Sequence, residues 1–236
     1  MDELFAKIKT YDWGQSRAAL TEVSDLVRKS HGSPEERSKV EKSLLEVLKS
    51  DATLAGKQFV CRELSIIGAE QSVPTLGAML ADEKLSDMAR YALERIPGAA
   101  VDEALRSALA KTSGKTKVGI INSLGQRHDG KAVSALGGLV GDSDQMMAAA
   151  AVSALGQIAD AQATKVLADA KGKTTGKLQM LVLDAYLRCA DKLVAEGKKA
   201  EALAIYGELK KENMPKPIQI AALQGELNAK KGRGGK

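Results

Sequence analysis

The 236 residues carry 44% hydrophobic but only 3% aromatic side chains, with a net charge of +5. That composition excludes an intrinsically disordered chain, and no apolar run reaches the roughly 18–20 residues that a membrane-spanning helix needs. The apolar content is mostly Ala, Leu, Val and Ile in stretches with few β-branched or aromatic runs, which points to an all-α protein.

Residues 1–50 balance their charges and read as an N-terminal helical capping region with helices over 2–9, 15–29 and 35–49. Ser33 is the expected N-cap of the third, with Pro34 at the first helical position and Glu36 completing a capping box. The opening MDELFAKIKT is amphipathic and lacks the basic-then-apolar layout of a signal peptide. The default compartment is therefore cytoplasmic, with export left open should a signal peptide have been removed ahead of it.

Residues 51–171 contain a repeat. The segments 57–68, 86–97, 114–125 and 145–156 each read as a helix closed by Gly68, Pro97, Gly125 or Gly156, at spacings of 29, 28 and 31 residues. Each is followed by a second apolar helix, anchored by Val73–Leu80, Val101–Leu109, Ala132–Val140 and Ala163–Ala168. Asp82 and Asp144 are expected as N-caps or turn formers. The apolar stripes are Val60, Cys61, Leu64 and Ile67 in the first unit and Met88, Ala89, Ala92, Leu93 and Ile96 in the second. Ala148–Ala151 and Ala154 keep helix surfaces close, and Gly68, Gly125 and Gly156 are expected to take left-handed C-terminal conformations. Gly137 and Gly138 read as close packing or a local break. One pair cannot bury both stripes alone, so pairs must stack.

Residues 172–229 form a C-terminal hairpin and capping helix: 176–196 with Leu178, Leu181, Val182, Ala185, Cys189 and Leu193 on one side, a turn at Gly197, 198–211, then a helix from Pro217 to about 229. Residues 230–236, KKGRGGK, read as a flexible basic tail. The basic excess is C-terminal, since 171–236 holds 14 positive and 7 negative side chains.

DQMMAAAAVSALGQIADAQATKVLAD at 144–169 resembles a HEAT repeat, its Ala151–Leu155, Gly156 and Ile158 matching A-x-x-A-L-G-x-I. Val73-Pro74-x-Leu76 is similar to that family's second-helix entry, and the units resemble short bacterial HEAT-like repeats of the phycobilisome-lyase type. The departures are Met147 and Lys117 where the family often has Arg, and ALERIP at 92–97 in place of the ALG run. Residues 176–211 resemble a tetratricopeptide pair through Ala200 to Tyr206, with an irregular HEAT-type pair as the other reading. The resemblance implies an α-solenoid of stacked antiparallel helix pairs, a HEAT-like superhelix.

No catalytic, cofactor-binding or metal-ligating set emerges. His31 and His128 sit in turns without partners at ligand spacing. Cys61 and Cys189 form no C-x-x-C and read as buried hydrophobes. Ser113-Gly114-Lys115-Thr116 and Gly172-Lys173-Thr174 mimic phosphate loops but lack the upstream glycine, with Leu109 and Leu167 in its place, and the preceding strand. Asp102/Glu103 and Glu35/Glu36 begin helices, where they meet exposed amides. Some helical-repeat proteins are DNA glycosylases, but a lone Trp13 and no cluster of aromatics with Asp and Arg on the repeat helices speak against that class.

The expected function is a noncatalytic scaffold holding a protein partner, of unidentified and acidic character, along the solenoid surface. Arg106, Lys131 and Lys165 are its candidate contacts on the face lined by the second helices. The alternative is nucleic-acid binding through Lys171, Lys173, Lys177, Lys198, Lys199, Lys210 and Lys211, extended by Lys230, Lys231, Arg233 and Lys236.

Overall fold

The computed structural model describes residues 1–231, and among them every regular element is helical. The chain divides into two compact units, Met1–Ser123 and Leu124–Lys236. The first holds α1 (Asp2–Thr10), α2 (Ala18–Lys29), α3 (Pro34–Leu48), the pair α4 (Leu54–Ile67) and α5 (Val73–Ala78), the pair α6 (Ser86–Leu93) and α7 (Ala99–Lys111), and most of α8 (Gly114–Gln126). The second holds the end of α8, then α9 (Val133–Gly138), the pair α10 (Gln145–Ile158) and α11 (Ala161–Ala170), the pair α12 (Gly176–Ala195) and α13 (Lys199–Leu209), and α14 (Lys216–Lys231). Each unit is a stack of antiparallel helix pairs of the α-solenoid class.

Helix starts follow the capping residues. Ser33 accepts from the Glu36 amide at 3.3 Å, Thr53 from Gly56 at 3.0 Å, and Asp144 from Met146 at 2.8 Å. Glu36 does not complete the capping box, because its carboxylate turns to Lys39 at 3.0 Å. Asp82 forms a turn, accepting from Lys84 and Leu85. The second helices of two repeats are short: α5 and α9 each begin from a single 3-10 turn, Glu70–Ser72 and Gly130–Ala132.

The expected stripes are buried with three exceptions, Met88, Leu178 and Leu181. Val60, Cys61, Leu64 and Ile67 face Ala89, Ala92, Leu93 and Ile96 inside the first unit, while Met88 is only half-buried. In α12, Val182, Ala185, Tyr186, Cys189 and Leu193 are buried but Leu181 is exposed. Both cysteines are free and fully buried, and desolvation pushes the Cys61 thiol up to about 12.

The repeat glycines act differently from expectation. None of Gly68, Gly125 and Gly156 adopts positive φ; α8 and α10 run on past their glycines, and the left-handed positions fall to His128 (φ 53) and Ala159 (φ 44). The physical reason is helix contact. A Cβ on Gly125 would lie 2.7 Å from Ala154 Cα, one on Gly156 2.8 Å from Ala185 Cβ, and one on Gly68 2.8 Å from Ile96 Cδ1. Gly125 and Gly156 let neighbouring helices approach, and Gly68 makes room for the Ile96 side chain. Gly137 likewise packs on Val166, whereas Gly138 faces open space where α9 ends.

The C-terminal elements sit within two residues of their expected bounds, with Gly197 in the turn at φ 80. Helix α14 continues through Lys230 and Lys231. Arg233 and Lys236 of the basic tail lie outside the described residues.

Candidate functional site

The aromatic side chains are few: one Trp, four Tyr and two Phe. Four of these seven line one groove of the first unit, of about 410 Å³, together with Arg17, Leu20, Ala55, Gln58, Arg62 and Met88. They are Tyr11, Trp13, Phe59 and Tyr91. Two of them, Tyr11 and Trp13, lie in the loop between α1 and α2, and no Asp lines the groove.

The groove is assembled from a loop and three helices. Gly56 permits α1 to end against α4, since a side chain there would strike the Ile8 carbonyl. Thr53 then ties the loop down, its amide donating to the Lys9 carbonyl at 3.0 Å and its hydroxyl to the Tyr11 carbonyl. Asp12 accepts from the Trp13 amide at 2.8 Å, and Gly14 turns the chain at φ 87. Trp13 is thereby held outward with 60% of its surface exposed, unusual for so large an apolar side chain. On α4 the residues Ala55, Phe59, Arg62 and Ile66 recur at steps of three and four, so they share a face distinct from the core stripe. Tyr91 projects from α6 beneath Arg95, whose guanidinium lies 3.8 Å from its ring centre.

The groove continues into a second hollow of about 570 Å³ between α2 and α4, sharing Arg17, Leu20 and Arg62 and adding Ser24, Asp25, Arg28, His31, Glu63 and Ile66. Glu63 is 3% exposed; Ser24 Oγ donates to its Oε1 at 2.9 Å, and its Oε2 has no hydrogen-bond partner. Burial raises its carboxyl above the usual range, opposed by the Ser24 hydroxyl and by Arg62. The folded chain therefore holds this proton more tightly than the unfolded chain. Stability from this group grows as pH falls toward the ordinary carboxylate range and is lost as pH rises through the folded value. Glu63→Gln should melt higher than the wild type by about 2–4 °C near pH 7. The difference should shrink toward pH 5, and equal melting curves at both pH values would refute the assignment.

The sequence candidates are distributed over both units. Arg106 is half-buried on α7 of the first unit. In the second unit Lys131 is exposed at the entry to α9 and Lys165 on α11. Lys173 and Lys177 are exposed on either side of Gly176. Lys198 is paired with Glu196 at 2.9 Å, Lys210 with Glu226 and Lys171 with Glu208, while Lys199 and Lys211 are exposed. Lys199 and Lys210 mark opposite ends of α13, about 16 Å apart at 1.5 Å per residue, so the two lysine pairs form separate patches. Of the phosphate-loop lookalikes, residues 114–116 form the first turn of α8 and residues 172–174 lie between α11 and α12. His31 borders the second hollow, and His128 Nδ1 lies 2.6 Å from the Gln157 carbonyl oxygen. Among the described residues no helix is long and apolar enough to cross a membrane, and no group of three His, Cys, Asp or Glu is placed to hold a metal ion.

One signal in the sequence pointed to the groove. Phe59 and Ile66 lie off the core stripe of α4, so that helix is apolar on two faces.

Residues 101–180 match the family model for HEAT repeats. No curated protein matches the chain. Among solved structures the chain is similar to an engineered protein at 18% identity and TM-score 0.48, covering 95% of this chain and 67% of that one. A computationally designed armadillo repeat protein for modular peptide recognition shows 17% identity and TM-score 0.40, covering 96% of this chain and 98% of its own. A designed armadillo repeat protein in complex with a (KR)4 peptide shows 15% identity and TM-score 0.32, with the same coverages.

Proposed function

We propose that this chain, HEAT-repeat over residues 101–180, is a noncatalytic protein-binding scaffold whose main contact is the aromatic–arginine groove of the first unit. The observation that carries the reading is the gathering of Tyr11, Trp13, Phe59 and Tyr91 with Arg17 and Arg62 in a chain with 3% aromatics. Trp, Tyr and Arg are the residue types that dominate binding energy at protein interfaces. Arg17 makes no side-chain ion pair among the described residues, and Arg62, whose guanidinium lies 5.6 Å from the Phe59 ring centre, has its ion pair with the buried Glu63 at 3.9 Å. The occupant that fits is a peptide segment placing an aromatic or aliphatic side chain between Trp13 and Tyr91 and a carboxylate against Arg17 and Arg62.

Charge separates this reading from nucleic-acid binding. Residues 1–123 hold 18 basic and 18 acidic side chains, so the unit as a whole carries no net positive charge to draw a phosphate backbone to the groove, whose cations are two arginines. Arg106, Lys131 and Lys165 remain proposed accessory contacts. The exposed Lys173, Lys177, Lys199 and Lys211, with Lys198 and Lys210 in their ion pairs, are proposed to attract an acidic partner at long range.

The test is affinity capture from a lysate of the source organism with wild-type chain and Trp13→Ala, with and without nuclease, at low salt and about 0.5 M salt. A defined protein should survive nuclease and salt on the wild type, and Trp13→Ala should weaken its binding about 30-fold. Material that leaves on nuclease treatment would favour nucleic acid. Equal retention by Trp13→Ala would remove the groove from the interface.

A further inference from the structure

The last helix of the second unit is apolar on two opposite sides. Ile218, Ala222 and Ala229 are buried against the unit, and Gly225 lies so close to Tyr206 that a Cβ would be 2.5 Å from its ring. On the far side Ile220, Leu223 and Leu227 are 68%, 49% and 43% exposed. At about 100° per residue they fall on one outward line, and the same line continues one turn out to Lys216 at one end and Lys231 at the other. A helix whose outer face meets only water normally turns a polar face outward. This one has the pattern of a helix packed between two layers, and among the described residues one of those layers is present.

The charges at the ends of the strip select what covers it. Lys216 is in the first turn, where the helix dipole already makes the end positive, and its ammonium reaches only the Gln219 side-chain oxygen at 3.5 Å. Lys231 has no ion-pair partner among the described residues, and Lys230 beside it is taken by Glu226 at 2.7 Å. Pairing with a second copy is disfavoured. An antiparallel match places Ile220 on Leu227 of the copy and Lys216 on Lys231 at both ends, and a parallel match sets each lysine on its twin. Unit charge balance points the same way, since residues 124–236 hold 17 basic and 12 acidic side chains and thus the whole excess of the chain.

We infer that the outer face of α14 docks an amphipathic helix of a partner protein, one whose apolar row is bounded at both ends by acidic residues. The apolar row supplies burial and the terminal carboxylates meet Lys216 and Lys231, fixing the register along the strip. This surface is separate from the groove of the first unit and does not depend on it.

The probe is a labelled synthetic helix with leucines at the same three-and-four spacing and glutamates one turn beyond each end, titrated into the full chain and followed by fluorescence anisotropy. A matched peptide with lysines in place of the glutamates is the control. The glutamate peptide should bind saturably, and the lysine peptide about tenfold more weakly or worse. Leu223→Asp should abolish binding, Trp13→Ala should leave it unchanged, and Lys216→Glu with Lys231→Glu should invert the preference between the peptides. Leu223 and Ile220 are solvent-facing, so circular dichroism should show Leu223→Asp folded, and Ile220→Asp provides a second disruption. Equal affinity for both peptides, no binding of either, or indifference to Leu223→Asp and Ile220→Asp would overturn the inference. So would a concentration-dependent dimer that Leu223→Asp dissociates, which would give the strip to a second copy. Loss with Trp13→Ala and not with Leu223→Asp would overturn it while leaving the groove in place.

Discussion

Gly156→Val is expected to destabilise the second unit by about 3 kcal/mol, read as a fall in the denaturation midpoint with unchanged helical signal. A Cβ at this position would sit 2.8 Å from Ala185 Cβ and 3.0 Å from Ala185 Cα, atoms fixed to the backbone of α12. They cannot rotate away as the end of a long side chain would, so α10 and α12 must separate along their contact. Gly156→Ala sets the same clash against the roughly 1 kcal/mol that alanine gains over glycine in a helix interior, and should cost a net of about 1 kcal/mol. The sign of the effect identifies the cause. Gly207 lies in α13 with nothing within 4 Å of its absent Cβ, and Gly207→Ala should stabilise by about 0.5–1 kcal/mol. Ala185→Gly introduced beside Gly156→Ala should recover part of the loss, because it removes the opposing methyl. Stabilisation by Gly156→Ala, as expected at the open Gly207, would contradict the packing account.

The contrast between these glycines shows what the sequence disclosed and what it withheld. Spacings of 29, 28 and 31 residues between helix ends are enough to establish repeating helix pairs, because each pair must present the same stripe to its neighbours. The role of each closing glycine was not legible, since a residue near a helix end meets the demands of a turn and of close approach equally well. Only the distance to Ala154 or Ala185 separates them. The groove was hidden for a different reason. Tyr11 and Trp13 are in a loop, which has no period, and Phe59 and Tyr91 are on different helices, so their meeting depends on how Gly56 and Thr53 seat α1 on α4. The lysines of the C-terminal half were legible as charge but not as partners. Glu196 pairs with Lys198 across a turn, while Glu208 and Glu226 pair with Lys171 and Lys210 between helices, at separations that no local pattern reveals.

Glu41→Leu should destabilise the first unit by about 3–5 kcal/mol and open the turn between α4 and α5. Glu41 stands on the apolar side of α3 between Val40 and Leu44, 1% exposed. It would be an expensive burial without donors, and three are present: the Ala69 amide at 2.7 Å, Gln71 Nε2 at 2.6 Å and Ser72 Oγ at 2.5 Å. All three belong to the stretch that leads from α4 into α5, so one carboxylate of the capping region anchors the first repeat turn. The later turns use a local carboxylate instead: Asp129 accepts from the Lys131 amide at 3.1 Å, and Asp160 from Ala163 at 2.7 Å. Leucine fills similar volume but strands the Ala69 N–H and the wholly buried Ser72 hydroxyl, which is why the loss exceeds that of an ordinary surface carboxylate. Glu41→Gln keeps one acceptor oxygen while setting an amide against the Gln71 amide, and should retain roughly half of the stability that Glu41→Leu loses. Hydrogen exchange supplies the local reading, since the Ala69 amide should exchange far faster in Glu41→Leu while amides within α2 keep their protection. Because α4 brings the buried Phe59 and the outward Arg62 and Ile66 to the groove and the hollow beside it, loosening its C-terminal end should also blur the groove. Glu41→Leu should therefore weaken partner capture under conditions where the chain is still folded, although Glu41 itself does not line the groove.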